Sequence, residues 1–328
     1  MIEDIIIPPS QEIKHTKKER LGKDIVEKIY ERDINAGGSF TEITSAPGAG
    51  KTSLMLSLSK RIMQSNKNEI LFWSSTYGSP LQFFRLPYNI LIKKDSDITF
   101  WNRYEEEYID LPHKTFNSYE ELYKLSEPGK LNCPFFGDRT EWMNFIEWLI
   151  SKKGWHTVLI DEISEIVPSH SKGELYSKID HFANYTLTQA RKCFMTVICN
   201  TQSSTGTDWK VRQKLNNRIY LPGARVEKKA VRVFQKAVDN LREDHKRGSQ
   251  AYICAGGRFG VIECKDIFTP LPNWSIDVRT PNWNGDDNGR KERTEEITNK
   301  ADERRCSPRP DNDDKLHKWK DKRHTISS

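Results

Sequence analysis

Apolar residues in this chain follow two alternating rhythms, short unbroken runs and longer stretches in which they recur every three or four positions. The first is the rhythm of strands buried on both faces, the second that of helices with one face against a core. Phe40-Thr41-Glu42-Ile43 predicts a first strand, and residues 54–63 an amphipathic helix ending near Ser65-Asn66. Ile70-Leu71-Phe72-Trp73 centres a second strand over 69–75. Trp142, Phe145, Ile146, Leu149 and Ile150 predict a helix that leads through Lys152-Lys153-Gly154 into a strand over 157–160. Another helix over about 175–192 feeds a strand over 194–199. This alternation predicts an α/β fold, a doubly wound and mainly parallel sheet flanked by helices. Beyond Pro222, the spacing of Val226, Ala230, Val233, Phe234, Ala237 and Leu241 predicts a helix. Two short strands at 250–254 and 259–264, turning at Gly256-Gly257, predict a C-terminal β-hairpin.

Three stretches fall outside this pattern. Residues 11–36 are charged, with Leu21, Ile25, Val26 and Ile29 at helical spacing, and predict an N-terminal helical arm over 1–36. Residues 77–140 carry Phe83-Phe84, Trp101, Tyr104 and Glu105-Glu106-Glu107 without clear periodicity. They read as an insertion at the periphery of a core domain spanning 37–270. From about Pro281 aliphatic residues nearly vanish, and 271–328 reads as a charged, disordered tail, since it buries too little apolar surface to offset its ordering entropy.

The chemistry begins where the first strand meets its helix. Ser45-Ala46-Pro47-Gly48-Ala49-Gly50-Lys51-Thr52-Ser53 reads as a phosphate-binding loop, in which successive N–H groups converge on nucleotide phosphates. Pro47, Gly48, Ala49, Gly50, Lys51, Thr52 and Ser53 are its ligand-facing positions. Lys51 reaches the outer phosphates, and the Thr52 hydroxyl completes the shell of a magnesium ion. Ser45 stands where glycine is common.

A second element is the buried-type strand Thr157-Val158-Leu159-Ile160, which delivers Asp161 and Glu162 at its C-terminal end, the edge where open parallel sheets bind ligands. Asp161 is assigned to magnesium and Glu162 to the attacking water as general base. A third follows the strand over 194–199, in Asn200-Thr201-Gln202. Gln202 is the candidate sensor of the γ-phosphate, against the alternative of a capped Ser/Thr-rich loop.

The order of phosphate loop, strand ending Asp-Glu and strand ending Thr-Gln resembles the additional-strand, catalytic-glutamate division of P-loop ATPases, with a RecA-like core. Residues 208–214, then Asn217-Arg218-Ile219-Tyr220-Leu221 and the hairpin, are similar to the FtsK/HerA branch of DNA translocases and packaging ATPases. That resemblance covers about 37–270. It implies ATP and Mg2+ as cofactors, a homo-oligomeric and usually hexameric ring, and Arg218 as an arginine offered to a neighbour's γ-phosphate, with Arg212 a second candidate. It also implies sequence-independent contact with double-stranded DNA, for which Lys210, Arg212, Lys214, Arg218, Arg225, Lys228, Lys229, Arg232 and Lys236 are the available cations. Two other readings stay open: an AAA-type or Zot-like ATPase acting on protein assemblies, and a nucleotide-gated switch.

Composition adds little to this. The net charge of +6 in a chain of 328 residues is mild beside 30% charged residues of both signs, so it favours polyanions only weakly. Six cysteines without close C-x-x-C pairing predict neither a zinc site nor a disulfide framework. No apolar run reaches the roughly 18 residues of a membrane span, and no signal peptide is recognised, so a soluble, cytoplasmic protein is expected.

Overall fold

The computed structural model describes residues 37–75, 86–102, 105–225, 232–241, 249–255, 258–264 and 276–279. The expected N-terminal arm, the Gly256-Gly257 turn, Phe83-Phe84, Tyr104 and everything from residue 280 lie outside them.

The described strands are β1 (Phe40–Thr44), β2 (Ile70–Ser74), β3 (Tyr88–Lys93), β4 (Thr99–Asn102), β5 (Glu107–Ile109), β6 (His113–Phe116), β7 (Leu131–Phe135), β8 (His156–Ile160), β9 (Met195–Thr201), β10 (Asn217–Tyr220), β11 (Ser249–Ala255), β12 (Arg258–Cys264) and β13 (Ile276–Arg279). The helices are α1 (Lys51–Ser65), α2 (Tyr119–Leu125), α3 (Glu141–Leu149), α4 (Gly173–His181), α5 (Leu187–Lys192), α6 (Trp209–Lys214) and α7 (Arg232–Asp239). A π-helical turn, Phe182–Thr186, joins α4 to α5, so the helix expected over 175–192 is continuous but underwound and widened at its middle.

Ten strands form one sheet in the order β12-β11-β10-β1-β9-β8-β2-β7-β3-β6. Every neighbouring pair from β10 to β6 is parallel, and β11 and β12 add an antiparallel hairpin at one edge. The mainly parallel α/β fold with a C-terminal hairpin is therefore as the sequence pattern predicts. Strand β9 stands between β1, which leads into the phosphate loop, and β8, which ends at Asp161. That inserted strand brings the ends of all three to one edge.

Both faces of the sheet are covered. Leu54, Met55, Leu58 and Ile62 of α1 pack with Ile43, Leu71, Trp73, Leu159, Ile198 and Ile219. On the opposite face Trp142, Phe145, Ile146 and Leu149 of α3 join Ile179, Phe182, Leu187 and Ala190 against Phe40, Phe72, Val158, Ile160 and Val197. Phe72 and Phe145 meet edge to face, with ring centroids 5.0 Å apart.

Two expectations are corrected. Within residues 77–140, β7, β3 and β6 are members of the main sheet, so this stretch extends the core instead of covering it from outside. Its periodicity is hidden because β7 (LNCPF) carries Asn132 and Pro134 in a fully buried strand. The cost of burying Asn132 is offset by its hydrogen bonds: its amide donates to Leu71 O at 3.1 Å and Glu127 O at 3.1 Å, and its oxygen accepts from Asn89 at 3.0 Å and from Glu127 N at 2.9 Å. The second correction concerns the tail boundary at 271. Strand β13 pairs antiparallel with β4 in a separate three-stranded sheet with β5, and Val278 is fully buried in the core shared with α1. Ile276 and Val278 alternate with Asp277 and Arg279 over too few residues to stand out from a charged background.

Candidate active site

The phosphate loop is built as a strand-to-helix turn. Gly48 (φ 81°) and Gly50 (φ 90°) take left-handed backbone conformations, and a Cβ at either would meet open space. Glycine is needed there for its torsion angles and not for room. Helix α1 starts at Lys51 with no side-chain cap and no acidic residue in its first turn, and its regular bonding opens with Leu54 N–H to Gly50 O at 2.9 Å. The preceding N–H groups of this turn, at Lys51, Thr52 and Ser53, are those a helix start offers to an anion.

Lys51 Nζ donates to Ser45 O (3.2 Å), Ser45 Oγ (3.3 Å) and Ala46 O (3.2 Å). Burial lowers its pKa, and the carboxylates of Glu162 and Asp161 act in the opposite sense. The Ser45 hydroxyl, at the position where glycine is common, is thus one of the groups that hold the lysine.

Strand alternation decides what else reaches the loop. Asp161 follows the parity of Thr157 and Leu159, and Asn200 that of Thr196 and Ile198, so both emerge on the face covered by α1. Thr52 Oγ1 donates to Asp161 Oδ1 at 3.3 Å, and Asn200 Nδ2 donates to the same oxygen at 2.6 Å. Burial raises the Asp161 pKa, opposed by the Asn200 hydrogen bond and the Arg139 guanidinium. Among the described residues no three His, Cys, Asp or Glu gather into a metal cluster. The Thr52 hydroxyl beside the Asp161 carboxylate is instead a hard-oxygen pair, which suits magnesium, an ion that keeps most of its waters and takes phosphate oxygens.

Glu162 sits at φ 56°, ψ 77°, left-handed without being glycine. Its N–H donates to Asn200 Oδ1 at 2.9 Å. Its carboxylate accepts from Ser164 Oγ, from Thr201 Oγ1 at 3.0 Å and from Gln202 N–H at 3.2 Å. The structure therefore brings Lys51, Thr52, Asp161 and Glu162 to one place. Gln202 is present through its main-chain amide, while its side chain is exposed. The amide inside the site belongs to Asn200, buried at 1% exposure. Parity with the core residue Ile198 was the available signal for it. Thr201 and Arg139 were also missed, and Arg139 carries no local signal because it enters from the turn after β7.

Arg218 stands apart from this group. It lies beside Glu42 in the β1–β10 register, on the face opposite α1, with Nε 3.9 Å from a Glu42 carboxylate that is 1% exposed. Its Nη2 donates to Arg212 O at 3.4 Å. Lys210 is likewise engaged, pairing with Asp180 and donating to Tyr176 Oη at 2.8 Å. Two of the cations considered for DNA contact are thus held within the chain.

No protein-family model and no curated protein sequence matches this chain. Among solved structures, the genome packaging NTPase B204 from Sulfolobus turreted icosahedral virus 2, in complex with AMPPCP, is similar at 11% identity and TM-score 0.48, over 71% of this chain and 98% of that one. The N-terminal domain of zonular occludens toxin from Neisseria meningitidis is similar at 15% identity and TM-score 0.30, over 72% and 96%. A DnaB-like replicative helicase is similar at 12% identity and TM-score 0.36, over 68% and 53%. Superpositions this loose carry no functional weight. What the chain itself shows is a mainly parallel α/β sheet with a glycine-rich loop at its first strand-to-helix turn and an Asp-Glu pair at the end of β8.

Proposed function

We propose that this chain is an ATPase that works as a ring-forming motor on double-stranded DNA. The observation that carries the hydrolase reading is the continuous line of contacts from the phosphate loop through Thr52 and Asp161 to Asn200 and Glu162. It joins a phosphate cradle to a carboxylate suited to activate water. In this reading the loop from Pro47 to Ser53 holds the triphosphate, and Lys51 exchanges its bonds to Ser45 and Ala46 for phosphate oxygens. Thr52 and Asp161 hold the magnesium ion, which when bound neutralises charge on the phosphates. Glu162 takes the proton of the attacking water, its carboxylate oriented by Thr201, Ser164 and the Gln202 amide. Gln202 lines the mouth where the γ-phosphate is sensed, and the buried Asn200 behind it holds Asp161 and Glu162 in place.

The motor part of the proposal rests on the resemblance of residues 37–270 to DNA translocases and packaging ATPases. In a hexameric ring Arg218 serves as the arginine presented to the neighbouring subunit, which requires release of Glu42. The internal pairing of Lys210 and Arg218 favours a second reading, an assembly ATPase acting on protein, because it leaves fewer cations for phosphates. ATP turnover measured with double-stranded, single-stranded and no DNA, beside particle mass, tests the choice. A severalfold rise with double-stranded DNA and a mass near six times 38.2 kDa support the motor. DNA-independent turnover by a monomer contradicts it.

A further inference from the structure

The peptide joining Asp161 to Glu162 is gripped at both polar ends. Its N–H donates to Asn200 Oδ1 at 2.9 Å, and its carbonyl accepts from Arg139 Nη2 at 3.0 Å. We infer that Arg139 is a positioning residue for hydrolysis: together with Asn200 it fixes the plane of this peptide and so aims the Glu162 carboxylate. The inference rests on the hydrolase reading of the site.

Arg139 lies in the turn between β7 and α3, two strands away from β8 in the sheet. Its guanidinium nevertheless crosses the end of β2 to reach β8. Nη1 donates to Ser75 O at 2.9 Å and pairs with Glu165 Oε2 at 2.7 Å, while Nη2 also meets Ser74 Oγ at 3.4 Å. The residue is 9% exposed. Burying a guanidinium merely to join strand ends is a poor route to stability, since neutral groups of similar size fill such a place at lower desolvation cost. What the fork supplies is geometry, with several donors held in one plane and directed at fixed acceptors.

The peptide so held is one that needs holding. Glu162 is left-handed, a conformation that persists in a non-glycine residue when its surroundings over-determine it. One hydrogen bond leaves the peptide free to tilt about that contact. Opposed bonds to its carbonyl and its N–H remove the tilt, and the direction of the Glu162 side chain follows from the plane. Lysine at 139 keeps the charge but cannot span the Asp161 carbonyl, the Ser75 carbonyl and Glu165 at once.

The test compares wild type with Arg139→Lys, and with Arg139→Ala supplied with guanidinium ion at a non-denaturing concentration. Arg139→Lys is expected to bind ATP within about threefold of wild type while kcat falls about 10- to 100-fold, the cost of a misaimed catalytic group. The Glu162 amide, followed by hydrogen exchange without nucleotide, is expected to exchange about 10-fold faster or more. Guanidinium is expected to restore part of the Arg139→Ala turnover. Unchanged kcat and unchanged exchange in Arg139→Lys overturn the inference. So does a variant that fails to fold or that loses binding and turnover together, since either assigns Arg139 to general stability. A wild-type chain that turns over no ATP defeats the hydrolase reading instead, and the exchange comparison still reports whether the peptide is clamped.

Discussion

Asn200→Ala separates the amide that the structure places inside the site from Gln202, the one chosen by sequence position. Asn200 donates to the Asp161 carboxylate at 2.6 Å and accepts from Glu162 N–H at 2.9 Å. A hydrogen bond to a charged group contributes about 1.5–3 kcal/mol and one between neutral groups about 1 kcal/mol. Their joint loss is expected to destabilise the fold by about 3 kcal/mol. For a domain of this size that lowers Tm by roughly 6–12 °C. Gln202→Ala keeps the main-chain N–H that holds Glu162 and removes only an exposed side chain, so its stability stays within about 0.5 kcal/mol of wild type. Urea unfolding at pH 7.5 gives both numbers, and steady-state ATP turnover of the same preparations gives the functional pair. Turnover is expected to fall further in Asn200→Ala than in Gln202→Ala. If Gln202→Ala proves the more destabilising and the less active of the two, the assignment of the inner amide to Asn200 is wrong.

Two further predictions concern buried charge. Arg218→Ala leaves the Glu42 carboxylate buried without its neighbouring guanidinium and is expected to cost about 2–3 kcal/mol, most of it recovered in the Glu42→Gln/Arg218→Ala double variant, as urea unfolding will show. Arg218→Ala alone is therefore a poor probe of a trans arginine, and subunit-mixing experiments should use the double variant. His156 is buried, accepts from or donates to Tyr123 Oη at 3.1 Å, and has its pKa lowered by burial to about 4. Between the unfolded value of 6.5 and about 4 the unfolded chain binds a proton that the folded chain refuses, so stability falls as pH falls through that window, by about 3 kcal/mol in all. His156→Asn should flatten this part of the pH–stability curve; parallel curves for variant and wild type would contradict the assignment.

The legible parts of the fold were those in which one physical signal dominates. Glycines, a lysine after them, a strand before and an amphipathic helix after made the phosphate loop visible at Ser45–Ser53, apolar centres exposed β2, β8 and β9, and Phe40 and Ile43 just before the loop marked β1. The strands β3, β6 and β7 stayed hidden for different reasons. Asn132 and Pro134 break the apolar run of β7, and β6 is a short edge strand whose His113, Lys114 and Thr115 are exposed. In the site, Asp161 and Glu162 were legible as neighbours in sequence at a strand end. Asn200 needed the parity of β9, and Arg139 needed the sheet order, since nothing near residue 139 indicates that β7 lies two strands from β8. Arg218 was placed correctly on a strand, but its partner Glu42 is read only from the parallel register of β1 and β10.

The central claim is that Glu162, set beside a phosphate loop, activates water for ATP hydrolysis. Glu162→Gln keeps the size of the side chain and one acceptor oxygen for the Gln202 N–H, leaves its NH2 to donate to the Thr201 and Ser164 hydroxyls that donate to the carboxylate in wild type, and removes the base. The direct test is to measure ATP binding and single-turnover hydrolysis on wild type and this variant side by side. The account predicts ATP affinity within about threefold of wild type and hydrolysis slowed by about 100-fold or more. Hydrolysis by Glu162→Gln at the wild-type rate would contradict it.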